Sequence, residues 1–341
     1  MIYRGMDVRS KSFVVHAINE KKQVVFSGEI EPTRYGLKKL MKGLGEEEKL
    51  VVFEAGNQLK WIALTLKKMA GVHIHVVHPN EIKWINQSSG KTDKIDAKEL
   101  AQLARGDMLP RKVHIVEGTI RELRELVSAR QRIQSKRVAL INSIRGCLKQ
   151  EGYQLPEKFF QGVQWREKLG KMRIGKTQQK IIGSYMKCIE GLVEAEQELT
   201  EGIVAIESRD IELLKSIPGI GELSSRVIVS AIDDAGRFES KKGVAKYGAL
   251  TPRIYQSGEV VHLGRINGDG RREVRRVLLQ CAHAITRMKS YGAKPLKEFF
   301  ERIKRRRGKK IAVVALARKV LTIAYGVLKT QVGYNPALAG R

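Results

Sequence analysis

The sequence predicts a mixed α/β N-terminal domain, a long helical hairpin and a compact, mostly helical C-terminal domain. Short apolar strand patterns alternate with amphipathic helix patterns near the start, two long charged helical runs follow, and a basic helical region ends the chain. The 341 residues are enough for two or three domains. We place the domain boundaries at residues 1–115, 116–211 and 212–341.

The first domain is predicted to contain a partly parallel sheet. Apolar runs rich in β-branched and aromatic residues predict strands over residues 2–7, 12–18, 23–27, 50–54 and 72–77. Apolar residues at steps of three and four predict helices over residues 35–44, 61–70 and 92–105. Strands that alternate with helices in this way form mixed α/β layers.

The middle of the chain carries two long amphipathic helix patterns. They cover residues 119–151 and 177–211, and glycines and a proline break the connector between them. Strongly charged faces suit exposed helices, so an antiparallel coiled-coil hairpin is favoured over an ordinary helical core. An extended hairpin usually needs a partner, and we therefore expect a homo-oligomer.

Net charge is the strongest signal in the composition. Lys and Arg number 64 against 36 Asp and Glu, which gives a net charge of +28. Nucleic acids are the commonest polyanions that could neutralise this charge, so a nucleic-acid-binding protein is predicted. The alternatives are a membrane-surface protein or a merely basic globule.

The cysteines and the N-terminus indicate a reducing compartment. Cys147, Cys188 and Cys281 are far apart and form no CxxC pair, which argues against a disulfide framework and against a zinc site. No signal-peptide pattern opens the chain, and no stretch approaches the roughly 18 uncharged apolar residues that a membrane helix needs. We expect a protein of the prokaryotic cytoplasm with no membrane partner.

Four carboxylates are candidate metal ligands. Asp7 follows a short apolar start, and Glu54 ends an apolar strand. Asp93 and Asp96 lie three residues apart at a helix start, so their side chains point the same way. Four converging carboxylates repel one another without cations, and their oxygens suit Mg²⁺ or Mn²⁺ in a site for phosphodiester cleavage. Taken singly, each could instead be a turn, cap or helix-dipole residue.

The run Ser216-Ile217-Pro218-Gly219-Ile220-Gly221 is typical of a helix-hairpin-helix. Its glycines would let backbone N–H groups approach a phosphate closely, with Pro218, Gly219 and Gly221 at the contact. A tight helix–helix turn without a ligand is the alternative.

The dipeptide Ser257-Gly258 is predicted to lie in a loop that several arginines flank. A serine hydroxyl beside a phosphate can attack it when a base, a metal or surrounding cations activate the hydroxyl. Loop serines beside glycine are common, so a serine without a catalytic role is the alternative. The flanking arginines are Arg253, Arg265, Arg271 and Arg272.

The segment 302–310 is a predicted phosphate-contacting patch, because seven of its nine residues are basic. Arg305, Arg306 and Arg307 form its centre. A solvated charged segment is the alternative.

These motifs together resemble the DEDD insertion-sequence transposases, a family that includes the Piv/MooV DNA invertases and the bridge-RNA-guided recombinases. The resemblance extends over nearly the whole chain. It rests on residues 5–7, 53–55, 91–97, 216–221, 248–253, 256–258 and 324–328. One departure follows Glu54-Ala55: many relatives continue with Thr-Gly, whereas Gly56-Asn57 stands here. The carboxylate is kept, and only local loop contacts are put in doubt.

The resemblance implies a RuvC-like N-terminal domain of RNase-H type and a coiled coil that mediates assembly of a dimer and then a tetramer. Asp7, Glu54, Asp93 and Asp96 would bind the divalent metal. Ser257 would attack DNA and become transiently linked to it, on a route with a Holliday-junction-like intermediate. A non-coding guide RNA would select the donor and target DNA. Because Ser257 lies in another predicted domain, a site that combines it with the carboxylates must be composite.

Three alternatives remain open at this point. A Piv-like invertase would need no guide RNA. A hydrolytic RuvC-like junction nuclease would use water in place of Ser257. A non-catalytic architectural protein would use only the hairpin and the basic patches.

Overall fold

The computed structural model describes residues 1–43, 45, 47–82, 93–162, 164–257, 260–268 and 270–339. The chain divides into two compact units, Met1–Ile115 and Val116–Arg341. The first unit is built on a sheet, and helices dominate the second. The predicted combination of a mixed α/β N-terminal part and a helical C-terminal part is therefore confirmed.

The N-terminal unit contains a five-stranded sheet with the strand order β3-β2-β1-β4-β5. Its elements are β1 (Ile2–Val8), β2 (Phe13–Asn19), β3 (Val24–Ile30), α1 (Arg34–Lys42), β4 (Lys49–Glu54), α2 (Leu59–Leu66), β5 (Val72–Val77), α3 (Pro79–Ile82) and α4 (Asp93–Arg105). Strands β1, β2 and β3 pair antiparallel, whereas β4 is parallel to both β1 and β5. The two parallel pairs place the carboxyl ends of β1, β4 and β5 at one edge of the sheet.

Each face of this sheet is covered by helices. Residues of α1 and α2, including Leu37 and Ile62, pack on one face against Met6 and Phe53. Helix α4 packs on the opposite face, where Leu100 belongs to the same cluster as residues of β4 and β5. Burial of each such large apolar side chain contributes about 1.5–3 kcal/mol to the free energy of unfolding. The apolar residues of the strands therefore stabilise the packing of the helices on the sheet.

Gly5 lets α4 lie directly on β1. A Cβ atom at Gly5 would overlap the Ala97 carbonyl oxygen and come within 2.7 Å of the Ala101 nitrogen and 2.8 Å of the Leu100 Cβ. Two of these three atoms belong to the backbone, which cannot swing away. The glycine is thus required by the distance between helix and strand.

The C-terminal unit consists of ten α-helices and one β-hairpin among its described residues, besides short 3₁₀ turns. Its elements are α5 (Gly118–Gln150), α6 (Trp165–Gly170), α7 (Lys176–Val204), α8 (Arg209–Lys215), α9 (Glu222–Ile232), α10 (Lys241–Tyr247), β6 (Pro252–Ser257), β7 (Val260–Ile266), α11 (Arg272–Arg287), α12 (Lys294–Arg307), α13 (Lys309–Thr330) and α14 (Pro336–Ala339). The core gathers around α13, whose Leu316, Val320 and Ala324 are completely buried.

The long helices α5 and α7 pack along each other. Glu196 of α7 is almost buried between them, and its carboxylate accepts hydrogen bonds from Arg130 at 2.9 Å and Arg137 at 3.0 Å, both of α5. Helix α7 ends at Val204, earlier than the sequence pattern predicts. A new helix begins because the Ser208 side chain accepts a hydrogen bond from the Ile211 N–H and caps α8.

Within the described residues, α13 alone is long and apolar enough to cross a membrane, by length and composition only. More than half of its most apolar window, 56%, is buried inside the protein. Such burial is typical of the core helix of a helical domain.

Candidate functional site

Asp7 and Glu54 lie beside each other at the carboxyl ends of neighbouring parallel strands. Met6 of β1 is in register with Phe53 of β4, and each carboxylate residue comes directly after that pair. Side chains alternate between the two faces of a sheet. Since Met6 and Phe53 face α1 and α2, Asp7 and Glu54 lie on the face that α4 covers.

Helix α4 brings Asp96 to the same edge of the sheet. At its far end Arg105 donates a hydrogen bond to the Glu20 carbonyl at 3.5 Å, near the start of β1. Ala97 lies over Gly5, so α4 runs antiparallel to β1 and its first turn faces the end of that strand. Asp96 precedes Ala97, and it therefore lies toward Asp7.

Asp96 has a buried oxygen in need of a partner. Its Oδ1 atom is shielded from solvent and makes no hydrogen bond within the described part of the chain. A carboxylate oxygen in this state is costly unless a donor or a cation reaches it. Oxygen ligands of this kind suit Mg²⁺ or Mn²⁺, so Asp96 is a candidate ligand for a divalent cation, although Asp7, Glu54 and Asp96 do not by themselves form a cluster that could hold one.

Asp7 is held in place by its own loop. The Arg9 Nε donates to the Asp7 Oδ2 at 2.9 Å, and Gln58 donates to the Arg9 carbonyl oxygen at 2.6 Å, which ties the loop after β1 to the start of α2. Sequence reasoning missed both positioning residues. The only signal for Arg9 was a basic residue two places after a candidate ligand.

Asp93 is the first residue of α4, and its side chain lies outside the described residues. Residues 91 and 92 of the same motif also lie outside them. Among the described side chains, no three of the types His, Cys, Asp and Glu form a cluster that could hold a metal ion.

Ser257 is the last residue of β6, at the tip of the hairpin that β6 forms with β7. It pairs with Val260 across the hairpin, whereas the sequence predicts a loop. The side chain of Ser257, and Gly258 entirely, lie outside the described residues. The strands escaped prediction because their sequence shows no strict apolar alternation; among the described side chains, Tyr255, His262 and Arg265 are exposed.

The base of this hairpin is fixed by close backbone contacts. A Cβ atom at Gly270 would come within 2.5 Å of both the Ala249 nitrogen and the Tyr247 carbonyl oxygen, so only glycine fits. The Asn267 N–H donates to the Thr251 carbonyl oxygen at 2.8 Å. The segment before α11 is thereby fastened to the segment after α10.

The flanking arginines differ in their surroundings. Arg271 is half-buried and donates to Glu273 at 2.9 Å and to the Tyr247 hydroxyl at 3.2 Å, so its charge is used inside the protein. Arg253, Arg265 and Arg272 are exposed. These three remain accessible to a phosphate.

Tyr247 lies at the centre of an arginine cluster. Burial alone would raise its pKa, but the charges of Arg271, Arg124 and Arg237, with the hydrogen bond from Arg271, outweigh burial and lower the pKa. The Arg124 guanidinium is itself bound to the Ser230 carbonyl oxygen at 2.6 Å. Arg271 and Tyr247 of this cluster are adjacent to the backbone contacts at the base of the hairpin.

The turn 216–221 joins α8 to α9, as the sequence motif predicts. Gly219 adopts a φ of +81°, and a Cβ there would meet the Cys281 carbonyl oxygen at 2.9 Å and the Ile285 side chain at 2.7 Å. Packing against α11 thus explains this glycine without any phosphate. Gly221 has open space around it and precedes α9, so the N-terminus of that helix is accessible.

The basic patch coincides with the last turn of α12. Arg305, Arg306 and Arg307 are exposed there, and Gly308, with a φ of +80°, ends the helix. Cations at a helix C-terminus are favoured by the helix dipole as well as by any bound polyanion.

Comparison with known proteins gives a consistent result across both units. A transposase family model, of the DEDD IS110 type, matches residues 4–152, and a model of the transposase IS116/IS110/IS902 family matches residues 211–297. The chain is 26% identical over 344 residues to a transposase for insertion sequence element IS1111A from Coxiella burnetii, which covers 97% of this chain and 90% of the relative.

Other relatives share a smaller part of the chain. The chain is 36% identical over 120 residues to a pilin gene-inverting protein from Moraxella bovis, which covers 34% of this chain and 36% of the relative. A putative transposase from Sinorhizobium fredii is 29% identical over 309 residues, which covers 80% of this chain and 75% of that relative. The chain belongs to the IS110-type family of insertion-sequence transposases.

Proposed function

We propose that this transposase cuts and rejoins DNA strands with Ser257 as the nucleophile and with a divalent cation held by Asp7, Glu54, Asp93 and Asp96. The observation that carries the proposal is the position of Asp7 and Glu54 at the ends of paired parallel strands, together with a buried oxygen in need of a partner on Asp96 of α4. The described carboxylates alone form no metal cluster, so the proposed site depends on Asp93 as well. The strand order and directions support an RNase-H-type domain.

Bound Mg²⁺ or Mn²⁺ would supply charge stabilisation for the phosphate that is attacked. Asp7, Glu54, Asp93 and Asp96 would hold the ion, and the contacts of Arg9 and Gln58 fix the carboxylate of Asp7 and the loop beside it. Gly5 keeps the first turn of α4 close enough for Asp96 to contribute.

The strand-cutting step consumes one serine hydroxyl for each break. The Ser257 oxygen forms a bond to the DNA phosphorus and gives up its proton to solvent, while the bond from phosphorus to one deoxyribose oxygen breaks. The departing strand end takes up a proton and leaves as a hydroxyl. Attack by a strand hydroxyl on the serine phosphodiester reverses the step and releases Ser257, so no external energy source is needed.

Phosphate contacts are proposed for two surfaces of the C-terminal unit. The exposed Arg253 and Arg265 lie on the strands of the hairpin, and the exposed Arg272 begins α11 beside the half-buried Arg271. The other surface comprises the turn with Pro218, Gly219 and Gly221 together with Arg305, Arg306 and Arg307. Lys and Arg at phosphates supply affinity and positioning more than sequence choice.

We also propose that a non-coding guide RNA selects the donor and target DNA, and that the packed helices α5 and α7 form a coiled coil for assembly of a dimer and then a tetramer. The charge of +28 supports binding of more than one nucleic acid.

The relative named as a pilin gene-inverting protein supports the alternative of DNA inversion without a guide. Sequencing the RNA that copurifies with the protein separates the two: a single defined species supports the guide.

Trapping a covalent adduct tests the nucleophile. The protein, purified with its bound RNA, is incubated with DNA that carries the ends of the element and Mg²⁺, and is then denatured before electrophoresis. We expect an adduct with wild type and with the exposed control Ser184→Ala, and none with Ser257→Ala, whose DNA binding is kept. Cleavage without an adduct would replace the proposal with a hydrolytic nuclease. No metal-dependent cleavage at all would leave the architectural alternative.

A further inference from the structure

An open groove with a volume of about 930 Å³ lies between α12 and the segment that precedes it. Two carboxylates, Glu298 and Glu301, line it. Six cations also line it: Lys289, Lys294, Lys297, Arg302, Arg305 and Arg306. The excess of positive charge makes the groove a site for an anionic ligand.

Some of these charges are already used by the protein. Lys297 donates to the Met288 carbonyl oxygen at 2.9 Å, and the Arg302 guanidinium lies 5.5 Å from the centre of the Phe299 ring. Glu301 is paired with Lys304, a cation outside the groove, at 2.9 Å. The negative charge of Glu301 is thereby partly neutralised.

The remaining cations are available. Lys289, Lys294, Arg305 and Arg306 are exposed, and they make no ion pair or side-chain hydrogen bond with any residue that the structure describes. Lys294 and Arg305 lie eleven positions apart on α12, which is three helical turns, so they face the same side of the helix.

Tyr291 places an aromatic ring at this basic groove. Its side chain is 83% exposed, the most exposed of the large hydrophobic residues in the described chain. The adjacent backbone is anchored: Ala293 is completely buried, and the Tyr334 hydroxyl donates to the Gly292 carbonyl oxygen at 3.0 Å. A fixed backbone with an uncovered ring is a suitable surface for stacking.

The groove adjoins the turn between α8 and α9. The Tyr334 N–H donates to the Ser216 hydroxyl oxygen at 2.9 Å, and a Cβ at Gly292 would lie 3.5 Å from the Pro218 side chain. The exposed ring, the free cations and the turn thus belong to one continuous surface of the C-terminal unit.

We infer that this groove binds an unpaired nucleic-acid strand, with a base stacked on Tyr291 and the backbone phosphates along Lys289, Lys294, Arg305 and Arg306. Only an unpaired base can expose its face to the ring, whereas a duplex could use the cations alone. The inference rests on the proposed function, because exchange of DNA strands creates unpaired segments. An acidic protein segment would use the charges but would gain nothing from a stacking ring.

Binding of short oligonucleotides with 2-aminopurine at one position tests the inference. The full-length protein is titrated in EDTA, so that no strand is cut, with single-stranded DNA, single-stranded RNA and a DNA duplex. Tyr291→Ala should weaken single-strand binding by about 5- to 150-fold and abolish the change in 2-aminopurine fluorescence, with duplex binding unchanged. Tyr291→Phe should retain both properties, because phenylalanine also stacks.

A matched aromatic control is available in the other unit. Tyr35 of α1 is 70% exposed and lies among basic residues, so Tyr35→Ala removes a comparable ring without touching the groove. We expect single-strand affinity within about twofold of wild type for Tyr35→Ala. Circular dichroism of each variant verifies that the fold is kept.

Salt dependence tests the phosphate contacts separately. The double variant Lys294→Gln, Arg305→Gln should reduce the slope of log affinity against log salt by about one for each phosphate that is no longer neutralised. The double variant Lys180→Gln, Lys187→Gln, at exposed positions of α7, is the charge-matched control. It should reduce the slope of log affinity against log salt less than the Lys294→Gln, Arg305→Gln variant does.

Three results would overturn the inference: unchanged single-strand binding by Tyr291→Ala, an equal reduction for single strand and duplex, or failure of Tyr291→Phe to restore binding. These outcomes differ from a failure of the proposed function. Loss of the Ser257 adduct would be seen with Mg²⁺ and DNA ends, whereas stacking on Tyr291 is measured in EDTA without any cleavage.

Discussion

At the scale of single residues, Asp96 and Arg4 of the N-terminal unit each have buried polar atoms without hydrogen-bond partners among the described residues. Asp96 has one oxygen without a partner among the described residues, and Arg4 has two nitrogens, Nε and Nη2, in the same condition. They differ in position, since Asp96 lies on the face covered by α4, whereas the Arg4 side chain contacts Met41 of α1, on the other face. We propose a cation as the partner of Asp96, and we expect the buried charge of Arg4 to decrease stability.

Replacement of Asp96 should separate stability from metal binding. Asp96→Asn removes a buried charge, so in EDTA its melting temperature should equal or exceed that of wild type. Mn²⁺ at about one hundred times its Kd stabilises a protein by about 2.7 kcal/mol, and the variant should lose this gain. Calorimetry with and without Mn²⁺ measures both effects, and the control is Asp107→Asn, at an exposed residue in the turn after α4. An unchanged Mn²⁺ effect in Asp96→Asn would remove this ligand from the site.

Replacement of Arg4 should stabilise the protein. Burial lowers the pKa of Arg4 to about 10, so the charged form is penalised in the folded state at every pH below that value, and the penalty is relieved as pH rises through 10. Arg4→Met exchanges the charge for an apolar chain and should raise the free energy of unfolding by up to about 4 kcal/mol. Urea unfolding at pH 7 measures it, with the exposed Lys21→Met as control. A large decrease in stability would mean that Arg4 has a partner.

At the scale of elements, the packing of α4 on β1 positions the carboxylates. Gly5→Ala forces a methyl group into the Ala97 carbonyl, so α4 must shift. We expect a decrease of about 3 kcal/mol or more in unfolding free energy, together with loss of metal-dependent cleavage. Gly56→Ala is the matched control, because nothing lies within 4 Å of a Cβ there. Equal stability of the two variants would show that α4 can accommodate a methyl group at position 5, and would contradict the close packing of α4 on β1.

The same region should respond to pH through His16. Burial, with the nearby charge of Lys98 on α4, lowers the pKa of His16, so the folded state favours the neutral ring. The unfolded chain binds a proton near pH 6.5, and stability should therefore fall as pH drops through that value. His16→Gln should flatten the dependence between pH 7 and 5 in thermal unfolding. An identical pH profile in the variant would show that groups other than His16 cause the pH dependence of stability.

The sequence predicts the individual strands and helices better than it predicts which of them pack against each other. Apolar alternation and helical spacing are properties of each segment, and they located β1, β4 and α4 and the carboxylates at their ends. The pairing of β1 with β4, and the position of α4 over Gly5, depend on contacts between distant segments, which no local pattern contains. The hairpin of β6 and β7 was missed because its sequence shows no strict apolar alternation. Two adjacent helices with continuous spacing, α7 and α8, were merged into one.

At the scale of the whole molecule, we propose that the two units supply different parts of one activity. The N-terminal unit would supply the carboxylates, and the C-terminal unit would supply Ser257, besides its exposed arginines and Tyr291. The net charge of +28 supplies affinity for polyanions but no sequence choice. Specificity must then come from base contacts or from a guide strand.

Binding of nucleic acid to the whole protein should be strongly salt-dependent. Each phosphate contact contributes about −0.9 to the slope of log affinity against log salt for duplex DNA, so several contacts weaken binding by orders of magnitude between low and physiological salt. Fluorescence anisotropy over a salt series measures the slope. A slope near zero would contradict a phosphate-dominated interface.

Iron-directed cleavage of the polypeptide tests the central claim most directly. Fe²⁺ that replaces the divalent cation produces hydroxyl radicals at the site when ascorbate and peroxide are added, and mass spectrometry maps the broken peptide bonds. We predict breaks close to Asp7, Glu54 and the Asp93–Asp96 turn, and their suppression by excess Mg²⁺ and by Asp7→Asn. Breaks elsewhere in the chain, or breaks that Asp7→Asn leaves unchanged, would contradict a metal site at this edge of the sheet.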